Sequence, residues 1–398
     1  MIPLEAHPSA RPSAAAAPAF ALWQLGFRPF YLLASAFAAL SVALWAMQFA
    51  GWMPRAYLQG PLWHAHEMLF GFTLAVIVGF LFTAGRNWSG RPTPTGLPLA
   101  ALAALWVAGR VLVLTPFAWT AALVNAAFPL ACAVGLGMAL VGARNRRNYF
   151  FIGLLLMLSA ATLAFHLSAL GVIRTPAWIG IQLALDILLF ILAVMGGRVI
   201  PMFTNNGITG ADAKRQPWLE KTSLALVLAL LAADAADLPA AITGAIALAA
   251  ALAHAARWLL WQPWKSARNT LVLVLHLAYA WVPLHLALRL LSLGGWAAPS
   301  LATHALTVGA AGGLIIGMMV RTARGHTARV LRADRVDTAC FVLVLLAAVV
   351  RVLLPLVAPS QTLAAVLASA AFWSLGFGLY ALRYAPVLTR PRLDGKPG

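Results

Sequence analysis

PLWHAHEMLFGFTLAVIVGFLFTAGR, residues 61–86, decides what kind of molecule this is. From Leu69 to Ala84 it holds no charged, histidine or amide side chain, and Arg86 ends it. A spanning helix needs about 20 predominantly apolar residues, so the stretch predicts a membrane span over 64–84. At its mouth stand His64, His66 and Glu67, where ionisable groups are costly and mark functional sites by default. The apolar run sets the fold class; the cluster marks where chemistry is expected.

Runs of the same kind recur along the 398-residue chain, which is 62% hydrophobic and only 10% charged. A soluble domain carries about 25% charged residues, so this one is read as an integral membrane protein. Twelve spans are expected, near 29–50, 64–84, 97–114, 118–142, 148–170, 177–200, 218–236, 239–261, 270–293, 299–320, 338–357 and 361–382. Only DAADLPA (234–240) separates spans seven and eight, which leaves eleven as an alternative.

The net charge of +18 would suit nucleic acid, but its distribution argues otherwise. With twelve spans, 23 of the 28 Lys and Arg fall on one side, and the other keeps only Arg55, Arg110, Arg174, Arg289 and Arg351. That is the positive-inside pattern. The expected fold is all-α, a polytopic membrane helix bundle with both termini cytoplasmic. The basic balance then records topology and attraction to the anionic lipid bilayer, not nucleic-acid binding. Residues 1–23 read as a disordered cytoplasmic tail, 24–385 as a single transmembrane domain and 386–398 as a cytoplasmic C-terminal tail. No phosphate-cradling glycine motif is present, and Cys132 and Cys340 sit singly inside apolar runs as core residues.

With topology set, the 1.5 Å rise per residue assigns each histidine a depth. His64, His66, His166, His285 and His304 fall in an outer layer. His254 and His276 lie deeper, about 10 Å from the inner boundary, with His326 in the loop below. His276 and His285 are nine residues apart, roughly 13 Å of rise, and cannot share an ion. His64 and His66 converge only if the helix starts after them, for which Pro61 gives a reason. Glu67, three residues beyond His64, is placed to orient that ring's second nitrogen. Singly, each histidine reads equally well as an interhelical hydrogen-bonding residue. Together, many histidines with few acids and no thiolate pair favour haem iron or copper over magnesium or calcium. Arg86, Arg198, Arg321 and Arg324 at inner helix ends suit either topology anchoring or haem propionates. Asp186 suits an arginine partner, a proton path or a structural hydrogen bond. The run VGAAGGLIIGMM (308–319) permits close helix approach or a flat macrocycle against span ten, with Met318 and Met319 as soft donors or core. The tryptophans at 23, 52, 63, 88, 218, 261 and 264 read as interfacial belts.

Four stretches, WHAHEMLFGF (63–72), GRVIPMFTNN (197–206), LHLAYAW (275–281) and HALTVGAAGGLIIGMMVRTARGHTAR (304–329), make the chain resemble the NnrS family. The resemblance runs from about residue 24 to 385. It implies a twelve-span bacterial inner-membrane protein containing haem and copper, tied to nitric-oxide metabolism and resistance to nitrosative stress. His64, His66, His276, His304 and His326 match motif positions, with Glu67, Arg198 and Arg321 beside them; His166, His254 and His285 do not. The expected metal ligands are His64, His66 and His304 in an outer centre, with Glu67 behind the first two, and His276, with His326 or His254, in an inner one. His276, His304, His326, Arg198 and Arg321 are the residues expected to hold a b-type haem. Nitric oxide or a metal-nitrosyl species is the expected partner, and redox turnover would need an electron donor that no motif identifies. GHTAR stands where the family pattern is GHTGR, a change tolerated unless position 328 needs a positive φ. The rival expectation is a proton-coupled secondary transporter without metal, against which no repeat relates residues 1–200 to 201–398.

Overall fold

Backbone amides in hydrocarbon have no water to bond, so apolar segments must close their hydrogen bonds internally. Each expected span is accordingly a helical rod in a computed structural model that describes residues 20–49, 57–58 and 60–396. The first 19 residues of the expected N-terminal tail, with His7, and residues 50–56, with Trp52 and Arg55, lie outside the described residues. The helices are α1 (Phe27–Phe49), α2 (Gly60–His66), α3 (Leu74–Ser89), α4 (Gly96–Leu112), α5 (Ala118–Gly142), α6 (Phe150–Ala169), α7 (Ala177–Gly207) and α8 (Pro217–Ala235). They continue as α9 (Ala240–Leu260), α10 (Thr270–Tyr279), α11 (Trp281–Leu293), α12 (Pro299–His304), α13 (Gly313–His326), α14 (Arg335–Val357) and α15 (Thr362–Thr389). A π-helical stretch, Glu67–Thr73, joins α2 to α3, and a second, Ala305–Gly312, joins α12 to α13. Among the described residues there is no strand, and ten rods are long and apolar enough to cross a membrane. The chain is a multi-pass helical membrane protein.

Two of the twelve rods fall short of that standard. One is α4, at 17 residues, and the other is α8, which carries Glu220, Lys221 and Asp234. Spans seven and eight are nonetheless separate rods, because Asp237 takes a left-handed φ of 48° and Pro239 starts α9. The two ends of the domain meet: Ala21 N donates to Thr389 O at 2.7 Å, so both lie at one end of the bundle. The expected C-terminal tail boundary moves. α15 runs through Pro386 to Thr389, and the segment beyond packs back, Leu393 N donating to Thr327 O and Arg392 Nη1 to His326 O.

The small-residue run works by close packing. A Cβ at Gly309 would strike the Trp281 ring, one at Gly312 the Trp373 ring and one at Gly313 the Ala278 methyl. Side chains of other rods therefore occupy these glycine faces, on which a flat ligand was expected to lie, while Leu314, Ile315 and Met318 of this rod line a cleft. Of the expected interfacial tryptophans, Trp218 and Trp264 are exposed, but Trp63 and Trp261 are buried in the bundle.

Ala328, in the GHTAR turn after α13, has a φ of 57°. The left-handed region costs a residue with a Cβ roughly 1–2 kcal/mol. Ala328→Gly is expected to raise stability by about 1 kcal/mol in detergent, read as a shift of the urea midpoint. An unchanged or lower midpoint would contradict the strain.

Candidate metal centre

Whether His64 and His66 share a site depends on where their helix begins. Gly60, at φ 60°, turns the chain, and α2 runs from Gly60 through both histidines. Residues two apart on a helix point some 160° apart, so the two rings diverge and the expected His64/His66/His304 set divides in two.

His66 points into the bundle and is fully buried. Its Nδ1 lies 2.7 Å from Glu67 Oε1, so the glutamate orients His66 and not His64. Its Nε2 faces His166 Nε2 of α6 at 3.0 Å. His166 Nδ1 in turn lies 3.2 Å from the Tyr57 hydroxyl. The contact is a ring-to-ring hydrogen bond when His166 carries its proton on Nε2 and Tyr57 donates to its Nδ1; with both ring protons on Nδ1, the two Nε2 lone pairs face each other. Two lone pairs so placed repel unless a proton or a metal ion lies between them. A histidine fixed through its other nitrogen by a carboxylate is the usual dress of a metal ligand.

Behind Glu67 the charge is balanced inside the bundle. Arg110 of α4 donates from Nη1 to Glu67 Oε1 at 2.6 Å, and its Nη2 bonds Asn125 Oδ1 of α5. Asn125 is itself tied back to Ala121 O at 2.8 Å. Arg110 stacks near Phe37 and Trp106, whose Nε1 donates to Gly71 O within the π-helical turn. Glycine at 71 leaves the room the guanidinium fills.

His64 lies on the other face, between Trp45 and His304. Its ring is 5.2 Å from Trp45 and 6.4 Å from His304, nearly parallel to the latter at 11°. His304 Nδ1 is 2.6 Å from Ser300 O, which leaves Nε2 as its free donor atom. Among the described residues, no three His, Cys, Asp or Glu side chains gather at one point. Each pair thus offers two nitrogens, a donor type that would suit copper, and the 3.0 Å between the buried His66 and His166 Nε2 atoms leaves no room for a haem between those two rings.

The inner residues do not gather. His276 Nε2 is 2.9 Å from Thr204 Oγ1, and its buried Nδ1 has no partner. His254 Nδ1 is 2.7 Å from the Tyr279 hydroxyl, and the His326 ring packs on Phe27 at 5.6 Å. An apolar cleft opens between α1, α3, α6, α7 and α13, walled by side chains such as Tyr31, Ile77, Phe151, Met195 and Met318. Arg198 and Arg321 lie one turn beyond Met195 and Met318 on the same rods. Arg198 donates to Asn148 Oδ1 at 3.0 Å and packs on Phe150 and Phe151, while Arg321 sits 3.6 Å over the Phe203 ring. Neither forms an ion pair among the described residues. His276, His304 and His326 do not line this cleft.

Two members of the outer site were not expected. Arg110 counted only as an outer-side charge, although its place inside span three signalled burial. His166 had the right depth but no motif match. Asp186 takes the arginine partner: Arg289 Nη1 is 3.3 Å away, Gln182 Nε2 donates at 3.0 Å, and Arg289 also bonds Asp234.

No curated protein matches the chain. The family model described as NnrS protein matches residues 21–392, nearly the whole described bundle and both histidine pairs. The chain belongs to the NnrS family.

Proposed function

We propose that this protein protects a bacterium from nitric oxide or metal-nitrosyl species at histidine-held copper and haem in the inner membrane, by binding or by redox chemistry. The observation that carries the reading is the facing pair His66 and His166, with Nε2 atoms 3.0 Å apart and a buried glutamate behind one ring. Copper, if held by these two nitrogens, would supply one-electron chemistry toward a small diatomic ligand. The chain's own part is to hold both imidazoles, fix their tautomers through Glu67 and Tyr57, and balance the Glu67 charge with Arg110. Phe70 and Phe165 beside His66 exclude water. His64 and His304 offer a second two-nitrogen set. A b-type haem, if bound, would find apolar walls with Met195 and Met318 in this cleft, and Arg198 and Arg321, one turn beyond, would supply positive charge for its carboxylates.

The test is an optical spectrum and copper analysis of protein made in haem- and copper-replete cells. A Soret band that shifts on adding nitric oxide, with copper bound, is the expected result. Colourless, metal-free but folded protein would overturn it. The transporter reading would then stand on the Asp186–Arg289–Asp234 cluster.

A further inference from the structure

At the end of the bundle where α1 begins and α13 and α15 finish, the chain buries a guanidinium. Arg28, the second residue of α1, has 0% of its surface exposed. Its Nη1 donates to the carbonyls of Leu388 at 2.9 Å and Arg390 at 2.8 Å. Its Nε and Nη2 are buried and have no hydrogen-bond partner among the described residues. Those two N–H groups share one edge of the guanidinium, the edge that grips an oxyanion through two parallel hydrogen bonds.

The surroundings are cationic. The charges acting on Arg28 come from Arg392 and Arg329, and those acting on His326 from Arg392, Arg28 and Arg86. Asp394 is already taken by Arg392, which donates to it from Nε at 2.9 Å and from Nη2 at 2.8 Å. A buried charge without a counter-ion costs several kcal/mol, and here two donors of the same group also lack acceptors. The two carbonyls on Nη1 compensate only the opposite edge. The start of α1 adds the positive end of a helix dipole.

The geometry points to an oxyanion site at this end of the bundle. Arg28 Nε and Nη2 bind two oxygens of one phosphate group, and Arg329, Arg392 and His326 supply the surrounding positive charge. The phosphate comes either from an anionic lipid headgroup at the membrane edge or from free phosphate in solution. This site is separate from the histidine pairs, and its test does not depend on them.

Three proteins, wild type, Arg28→Lys and Arg392→Gln, are compared in phosphatidylcholine nanodiscs with and without phosphatidylglycerol, and in detergent with inorganic phosphate or chloride at equal ionic strength. Lysine keeps a charge able to reach the Leu388 and Arg390 carbonyls but presents no bidentate edge. Phosphatidylglycerol or phosphate is expected to raise the wild-type unfolding midpoint. Arg28→Lys is expected to weaken that binding roughly tenfold or more, and Arg392→Gln by a smaller factor. Protection by the lipid alone assigns the site to a headgroup, and protection by phosphate as well assigns it to the free ion. If neither protects the wild type, or if Arg28→Lys is protected equally, the proposal is overturned. Native mass spectrometry supplies a second readout: a single phosphatidylglycerol retained by the wild type and lost from the folded lysine variant.

Discussion

Replacing Arg110 by methionine is expected to cost about 3–5 kcal/mol of stability, the largest single loss that the structure assigns to a side chain outside the apolar core. The reason is placement. Glu67 is fully buried, its Oε2 already lacks a partner, and Oε1 is shared between Arg110 and His66. Removing the guanidinium leaves a carboxylate in a nearly dry bundle and unties Asn125 at the same time. Unfolding in mixed micelles titrated with denaturing detergent reads the loss. The double variant Glu67→Gln/Arg110→Met removes both charges and is expected to recover more than half of it. A loss under about 1 kcal/mol for Arg110→Met would show that the Glu67–Arg110 pair does not stabilise this bundle.

The second large effect concerns metal. His66→Ala and His166→Ala are each expected to abolish copper binding at the outer site, because a two-nitrogen set does not survive the loss of one nitrogen. Glu67→Gln removes the carboxylate behind His66 while keeping its size, and is expected to weaken binding 10–100-fold. Copper per chain after desalting, and competition against a chelator of known affinity, separate the two sizes of effect. His64→Ala should leave this affinity unchanged, since His64 faces away toward Trp45 and His304. Full copper occupancy in His166→Ala would move the metal elsewhere.

Depth was legible in the sequence and azimuth was not. Apolar runs and the placement of Lys and Arg gave every rod and put His64, His66, His166, His285 and His304 in one layer. Which rings face one another depends on where α2 begins, and Gly60 sets that start four residues before His64. Convergence of His64 and His66 therefore fails, and each finds a partner on a different helix. Arg110 was hidden for another reason. Counting basic residues by side treats a charge as a property of loops, whereas Arg110 reaches inward to an acid 43 positions away. Glu67 was read correctly as the support of a histidine but assigned to the wrong one. Its neighbour in sequence proved to be its neighbour in space, because the helix widens to a π turn at that point.

The two π-helical stretches carry a mechanical consequence. Each directly follows a histidine-bearing helix, Glu67–Thr73 after His66 and Ala305–Gly312 after His304, and such turns hold one residue more than an α-helix would. That residue acts as a gear tooth between an outer and an inner half of the same rod. Deleting one residue inside either stretch would close it to an ordinary α-helix with the phase of its two halves nearly kept, whereas deleting one from the α-helical part of the rod would swing the outer half by about 100°. His66 would then leave His166, or His304 would leave His64, while Tyr31 and Phe82 below kept their packing. The π turns are therefore the places where each rod holds an extra residue without turning its imidazole, and it is chain length in the α-helical turns beside them that is indexed to ligand direction.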